Sequence, residues 1–208
     1  MFKFFRLMTI CSIACFLAID GFACSEFKVR PDVEITQIGA ETKRVFVELP
    51  RGENGMIHGT TRATVSQKFG IEISYAPVAD RFCVVLTDVD AEIGYSEFLI
   101  ELDQDLESGT CEYDIVAAHE DEHMSAYAKV LRNNWAALTD AIRAAADAVA
   151  PISVASDTDI ESAADEMQKQ IANDTEFQLV MQKIAAEQEI ENRRIDTRGD
   201  ALKINKCP

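Results

Sequence analysis

Positive charge is scarce in this chain. Twenty Lys and Arg stand against 36 Asp and Glu, a formal charge of −16. A surface of that sign repels phosphate backbones and anionic lipid, which argues against nucleic acid and anionic membranes as partners. The acidic excess serves solubility instead. Long apolar runs are missing too: beyond the N-terminal segment no stretch approaches membrane-spanning length. There are no internal repeats and no low-complexity tracts. No C-x-x-C pair is present to build a zinc knuckle. Glycine and proline are absent from Cys111 to Ala150, so nothing in that stretch breaks a helix.

What the N-terminal segment does have is a leader pattern. "MFKFFRLMTICSIACFLAIDGFA" carries Lys3 and Arg6, an apolar run from Leu7 to Ala18, and small residues at Gly21 and Ala23. This reads as a secretory signal over residues 1–23, leaving 24–208 as one domain. Cys24 follows directly, so a lipid anchor is the alternative; Gly21 stands where lipid attachment favours Leu, which argues against it. Once Cys11 and Cys15 leave with the signal, Cys24, Cys83, Cys111 and Cys207 remain in an oxidising, periplasmic or secreted setting. The expected pairs are Cys83–Cys111, tying sheet to helix, and Cys24–Cys207, pinning the termini.

From about Phe27 to Gln104 the text is strand-like. "VEITQIG", "KRVFVELP", "TTRATVSQ", "IEISYAPV", "RFCVVLTDV" and "SEFLIELDQ" are rich in β-branched and aromatic residues, and "PRGENG", "KFG" and "APVAD" separate several of them. Polar and apolar residues alternate in Val45–Leu49 and Phe98–Leu102, which suits a half-buried, mostly antiparallel sheet. From Cys111 to Ala150 the period changes. Tyr127, Leu131, Trp135, Leu138, Ile142, Ala145 and Val149 recur at steps of three and four, an amphipathic helix capped by Thr110 and stopped by Pro151. A second helix is expected over 159–196, opened by a Thr158/Glu161 capping box and ended near Gly199. The predicted fold is α+β: an N-terminal, mostly antiparallel sheet followed by two long antiparallel helices.

The first long helix carries "HEDEH". Positions four apart share a helix face, so His119 and His123 can offer two imidazole nitrogens to one zinc ion. Glu120 projects about 100° around the helix, where it can take a proton from a water that zinc has made acidic. Val116, His119, His123, Tyr127 and Val130 form one stripe merging with the apolar face, so the histidines point inward. Asp121 and Glu122 fall on other faces. A strand before such a helix, here "EFLIELDQ", is the expected sheet edge for an extended substrate.

With these residues in place the chain resembles a family of secreted bacterial proteins of zincin-like, predicted zinc-metallopeptidase character. The resemblance rests on Cys83, Gly94-Tyr95 as a turn, "FLIELDQ", Cys111-Glu112-Tyr113 leading into "HEDEH", and a C-terminal "ENRRIDT" with Asp196-Thr197 and Cys207. It covers the chain from about Cys83 onward and is loose over the first strands. It implies a zincin-like fold and peptide-bond hydrolysis, and names no substrate.

A catalytic zinc needs a third protein ligand. His58, in a loop-like stretch, is one candidate. Glu187, Glu189, Glu191, Asp196 and Asp200 are the others. If the two helices are antiparallel, the end of the second lies beside HEDEH. Asp196, matching the "IDT" segment, is the first choice and Glu191 the second; the competing role for each is a salt bridge to Arg193, Arg194 or Arg198. Tyr127 could steady an oxyanion but reads better as core, as does Trp135. Asn173-Asp174-Thr175 matches a glycosylation sequon and carries no argument. The functional expectation is a zinc-dependent peptidase acting on peptide or protein substrates, with a non-catalytic metal-binding or adaptor protein of the cell envelope as the alternative. A solvated structural hairpin is the third reading.

Overall fold

A computed structural model describes residues 24–27, 29–49, 51–52, 55–56, 58–197 and 207. The leader, Arg198, Gly199 and Asp200 lie outside the described residues. A 3₁₀ turn, Cys24–Phe27, precedes β1 (Asp32–Ile38) and β2 (Glu41–Val47). The short pair β3 (Arg51–Gly52) and β4 (Gly55–Met56) follows, then the long strands β5 (Gly59–Val78) and β6 (Arg81–Asp103). Next come α1 (Cys111–Ala148), β7 (Ile152–Val154), a 3₁₀ turn at Asp157–Asp159, α2 (Ile160–Ala172) and α3 (Thr175–Asp196).

Strand β6 organises the sheet. It pairs with β5 along its whole length in an antiparallel hairpin closed at Ala79-Asp80. Its other side is lined end to end by β7 (antiparallel), β1 (parallel) and β2 (parallel). The five-stranded sheet is therefore mixed, and three helices accompany it. This corrects the expectation of a mostly antiparallel sheet followed by two helices. The parallel pairs arise without crossover helices, because β5 reverses the chain between β2 and β6.

The six strand-like runs map onto four strands, because β5 and β6 are each continuous where the sequence reads as two runs. "KFG" lies inside β5, and Gly94-Tyr95 lies inside β6 rather than at a turn. Gly94 is required by packing: a Cβ there would sit 2.7 Å from the Ile38 carbonyl oxygen of β1. The register of β6 against β5 skips Thr87 and Ser96, one extra residue at each of two bulges. Each bulge shifts the alternation by one. The buried residues run Val84, Leu86, then Val89, Ala91, Ile93, Tyr95, then Phe98, Ile100, Leu102, all facing the helices.

Helix α1 lies along this face, antiparallel to β6. Its first turns pack on Ile100 and Leu102, its middle on Ile93 and Tyr95, and its end on Val84 and Val89. Thr110 accepts from the Tyr113 amide at 3.2 Å, and Glu112 and Asp114 sit at the positive end of the dipole. The predicted second helix is two helices. Asp174 accepts from the Phe177 amide at 3.0 Å and Asn173 donates to the Lys169 carbonyl at 2.9 Å, so side chains take over the backbone groups and break the helix. The bend sends Phe177 into the core with no exposed surface and turns α3 back along α1. The Thr158/Glu161 capping box does not form; Ser156 accepts from the Thr158 amide instead.

Both disulfide pairings differ from the expected ones: Cys24 bonds Cys83, and Cys111 bonds Cys207. The cause is again the length of β6. Cys83 lies near its start and α1 begins beyond its end, so Cys83 and Cys111 are separated by a strand that spans about 65 Å. Cys24 sulfur is engaged in the bond to Cys83, which leaves it none to carry a lipid. Two disulfides fit an oxidising compartment, and among the described residues no helix is long and apolar enough to cross a membrane.

Candidate metal centre

His119 and His123 sit on the α1 face turned toward α3. Asp196, the last residue of α3, reaches them because α3 runs antiparallel to α1. His119 Nε2 and His123 Nε2 are 3.1 Å apart, and Asp196 Oδ1 lies 3.4 Å from the first and 3.0 Å from the second. A tetrahedral zinc with bonds near 2.0–2.2 Å holds its donors about 3.3 Å apart, so the three atoms fit such an ion. Among the described residues these three side chains are the group of His, Cys and carboxylate donors close enough to share a metal. The donor set of two imidazoles and one carboxylate suits zinc and also iron(II).

His123 is held from behind through its Nδ1. Asn192 Nδ2 donates to Tyr127 Oη at 2.9 Å, which turns Asn192 Oδ1 toward His123 Nδ1 at 3.0 Å. Facing an amide oxygen, Nδ1 is placed to donate, and Nε2 is the nitrogen turned toward His119 and Asp196. Tyr127 in turn packs edge-on to Tyr95, whose hydroxyl accepts from Gln188. Tyr127 is thus a polar link as well as a core residue. Burial raises the Tyr95 hydroxyl pKa well above its ordinary value, so it stays protonated.

Glu120 is the least exposed of the motif residues at 3%, below His123 at 8%. It points toward β5, where Thr61 Oγ1 donates to its Oε2 at 2.8 Å. A Cβ on Gly59 would lie 2.7 Å from Glu120 Oε1, so glycine is what makes room for the carboxylate. Burial pushes the Glu120 pKa up; the Thr61 hydrogen bond and the charges of His123 and His119 pull it down, and Asp196 adds to the rise. The net effect is upward. Thr61→Val removes the donor and leaves a buried carboxylate oxygen unpaired. We expect a loss of about 1–3 kcal/mol in denaturant unfolding, larger at pH 8 than at pH 5, because the hydroxyl stabilises the charged form.

The other carboxylate candidates are engaged elsewhere. Glu191 accepts from Arg194 Nε and Nη2 at 2.9 and 2.6 Å. Glu187 accepts from Asn134 at 2.6 Å, and Glu189 pairs with Arg193 at 3.6 Å. His58 is half-buried, and its backbone carbonyl accepts from the Asp103 amide at 2.9 Å. Asp121 pairs with Arg44 of β2 at 2.5 Å. "EFLIELDQ" is not a sheet edge, since β6 is flanked on both sides; β5, beside Glu120, has β6 as its only partner among the described residues.

Sequence reasoning missed Asn192, Thr61 and Gly59. Asn192 had a signal: it stands four residues after Gln188 and four before Asp196, one turn apart on α3. Thr61 and Gly59 had none, because only the sheet brings them to Glu120. No protein-family model matches the chain, nor does any curated protein or solved structure, which leaves this geometry as the ground for a functional conclusion.

Proposed function

We propose that this chain is a periplasmic or secreted zinc-dependent peptidase, with His119, His123 and Asp196 as ligands of one ion. The convergence of three donor atoms within 3.4 Å of one another carries the reading. Zinc, when bound there, would make water a nucleophile near neutral pH and polarise a substrate carbonyl. Asn192 keeps His123 in the ligating tautomer. Glu120, its pKa raised by burial, accepts the proton of the attacking water and passes it to the leaving amine. Thr61 holds the carboxylate while it is charged. The adjacent β5 edge offers backbone groups to an extended peptide. The leader pattern and the two disulfides support export.

One observation favours the second reading, a metal-binding protein without hydrolysis: Glu120 is almost fully buried beneath Gly59 and Thr61. Metal content and activity separate the two. Protein purified under oxidising conditions should hold about one zinc per chain, as a single site of three protein ligands requires, and His119→Ala should lose it. Cleavage of casein or a peptide library that chelator abolishes and zinc restores supports the peptidase. Stoichiometric zinc without such cleavage supports the second reading. Iron in place of zinc, or no metal in wild type, overturns the assignment.

A further inference from the structure

We propose that two copies of this chain pair through β5, antiparallel, about a two-fold axis at Gly70. Between Val65 and Tyr75, β5 has β6 as its partner on one side, and no described strand pairs with the other. A free edge of that length is a template for another strand. Its sequence, V65-S-Q-K-F-G-I-E-I-S-Y75, complements itself about its centre. With Gly70 opposite its own copy, Lys68, which also pairs with Glu92 of its own chain at 3.0 Å, faces Glu72 of the second copy and Glu72 faces its Lys68. Val65 faces Tyr75 twice over. Val65 and Tyr75 are two of the large apolar side chains the fold leaves exposed, at 47% and 55%. Both belong to the helix-side set of alternate residues and Lys68 and Glu72 to the other, so each cross-pair meets on one face.

A shift of the axis by one residue, to Ile71, would set Lys68 against Ser74 and Val65 against Pro77, losing the Lys68–Glu72 charge match and the Val65–Tyr75 pair together. Gly70 itself puts no side chain at the axis. Gln168 of α2 donates to the Phe69 carbonyl at 2.5 Å, and that oxygen keeps a second lone pair for a strand partner. The pairing is isologous, so it closes at two copies instead of growing into a filament. It leaves Gly59–Thr61, beside Glu120, outside the paired stretch, and it stands or falls independently of the metal.

Sedimentation of the purified full chain should show a dimer at micromolar concentration. Lys68→Glu sets Glu against Glu at both contacts, and Glu72→Lys sets Lys against Lys; each should weaken the dimer tenfold or more. Circular dichroism should report unchanged folds. Mixing the two variants should restore a dimer, because every cross-pair is then opposite in sign. Gly70→Cys should cross-link to its own copy under oxidation, since directly opposed residues lie about 4.5–5.5 Å apart, within disulfide reach; a Cβ there meets nothing nearer than 3.6 Å. A monomer at all concentrations overturns the proposal, as does a dimer that both charge variants leave intact or a Gly70→Cys chain that does not cross-link.

Discussion

Glu120→Gln should reduce peptide hydrolysis by about 10²–10⁴-fold or more while zinc content stays near wild type. Glutamine keeps the shape and the Thr61 contact but cannot take a proton. Neither imidazole is altered. The same substitution should raise the stability of the metal-free protein as pH increases. The Glu120 pKa is raised on folding, so its contribution is fully present below the ordinary value of 4.5 and is lost as pH climbs through the folded-state value. Glutamine does not ionise and carries no such loss. Chelator-treated wild type and variant should therefore match near pH 4 and separate above it, the variant melting higher at pH 8. Equal hydrolysis by the two proteins would remove Glu120 from the chemistry. A variant that melts lower at pH 8 would contradict the raised pKa.

Asp196→Ala should lower metal affinity by more than the roughly 100-fold that loss of a supporting residue costs, and Asn192→Ala should cost about 10–100-fold. The order follows from position: Asp196 would supply a donor atom, whereas Asn192 only supports His123 through Nδ1. Glu191→Ala is the control, because that carboxylate is held by Arg194 and lies outside the donor group. Competition against a chromogenic chelator measures all three. Wild-type affinity in Asp196→Ala, or a larger loss in Glu191→Ala, would move the third ligand elsewhere.

The placement of the two histidines and Glu120 within one helix turn was readable because it is local. Their relation is set by the helix repeat, and a stretch of forty residues without glycine or proline leaves little doubt about the helix. Asp196 was readable in part, from the inference that a chain returning along α1 ends near HEDEH. That inference held although the predicted second helix is two: Asp174 bends the chain, and α3 still runs back toward the start of α1.

The sheet was misread for one reason with several consequences. At "LTDV" and "YSEF" the apolar alternation slips by one, and a slip looks like a strand end. In the structure each is a bulge within β6. The merged strand turned β1 and β2 parallel to it, carried Cys83 far from Cys111, and put "EFLIELDQ" in the sheet interior. Both disulfide pairings and the expected substrate edge failed with it.

The sequence by itself determined a long helix carrying two imidazoles and a carboxylate within one turn, because backbone geometry alone sets that spacing. Only the tertiary structure decided what surrounds them: Thr61 and Gly59 from β5, Asn192 and Asp196 from α3. Those contacts cross 59 to 77 positions of chain and depend on how strands and helices pack, which no local periodicity encodes.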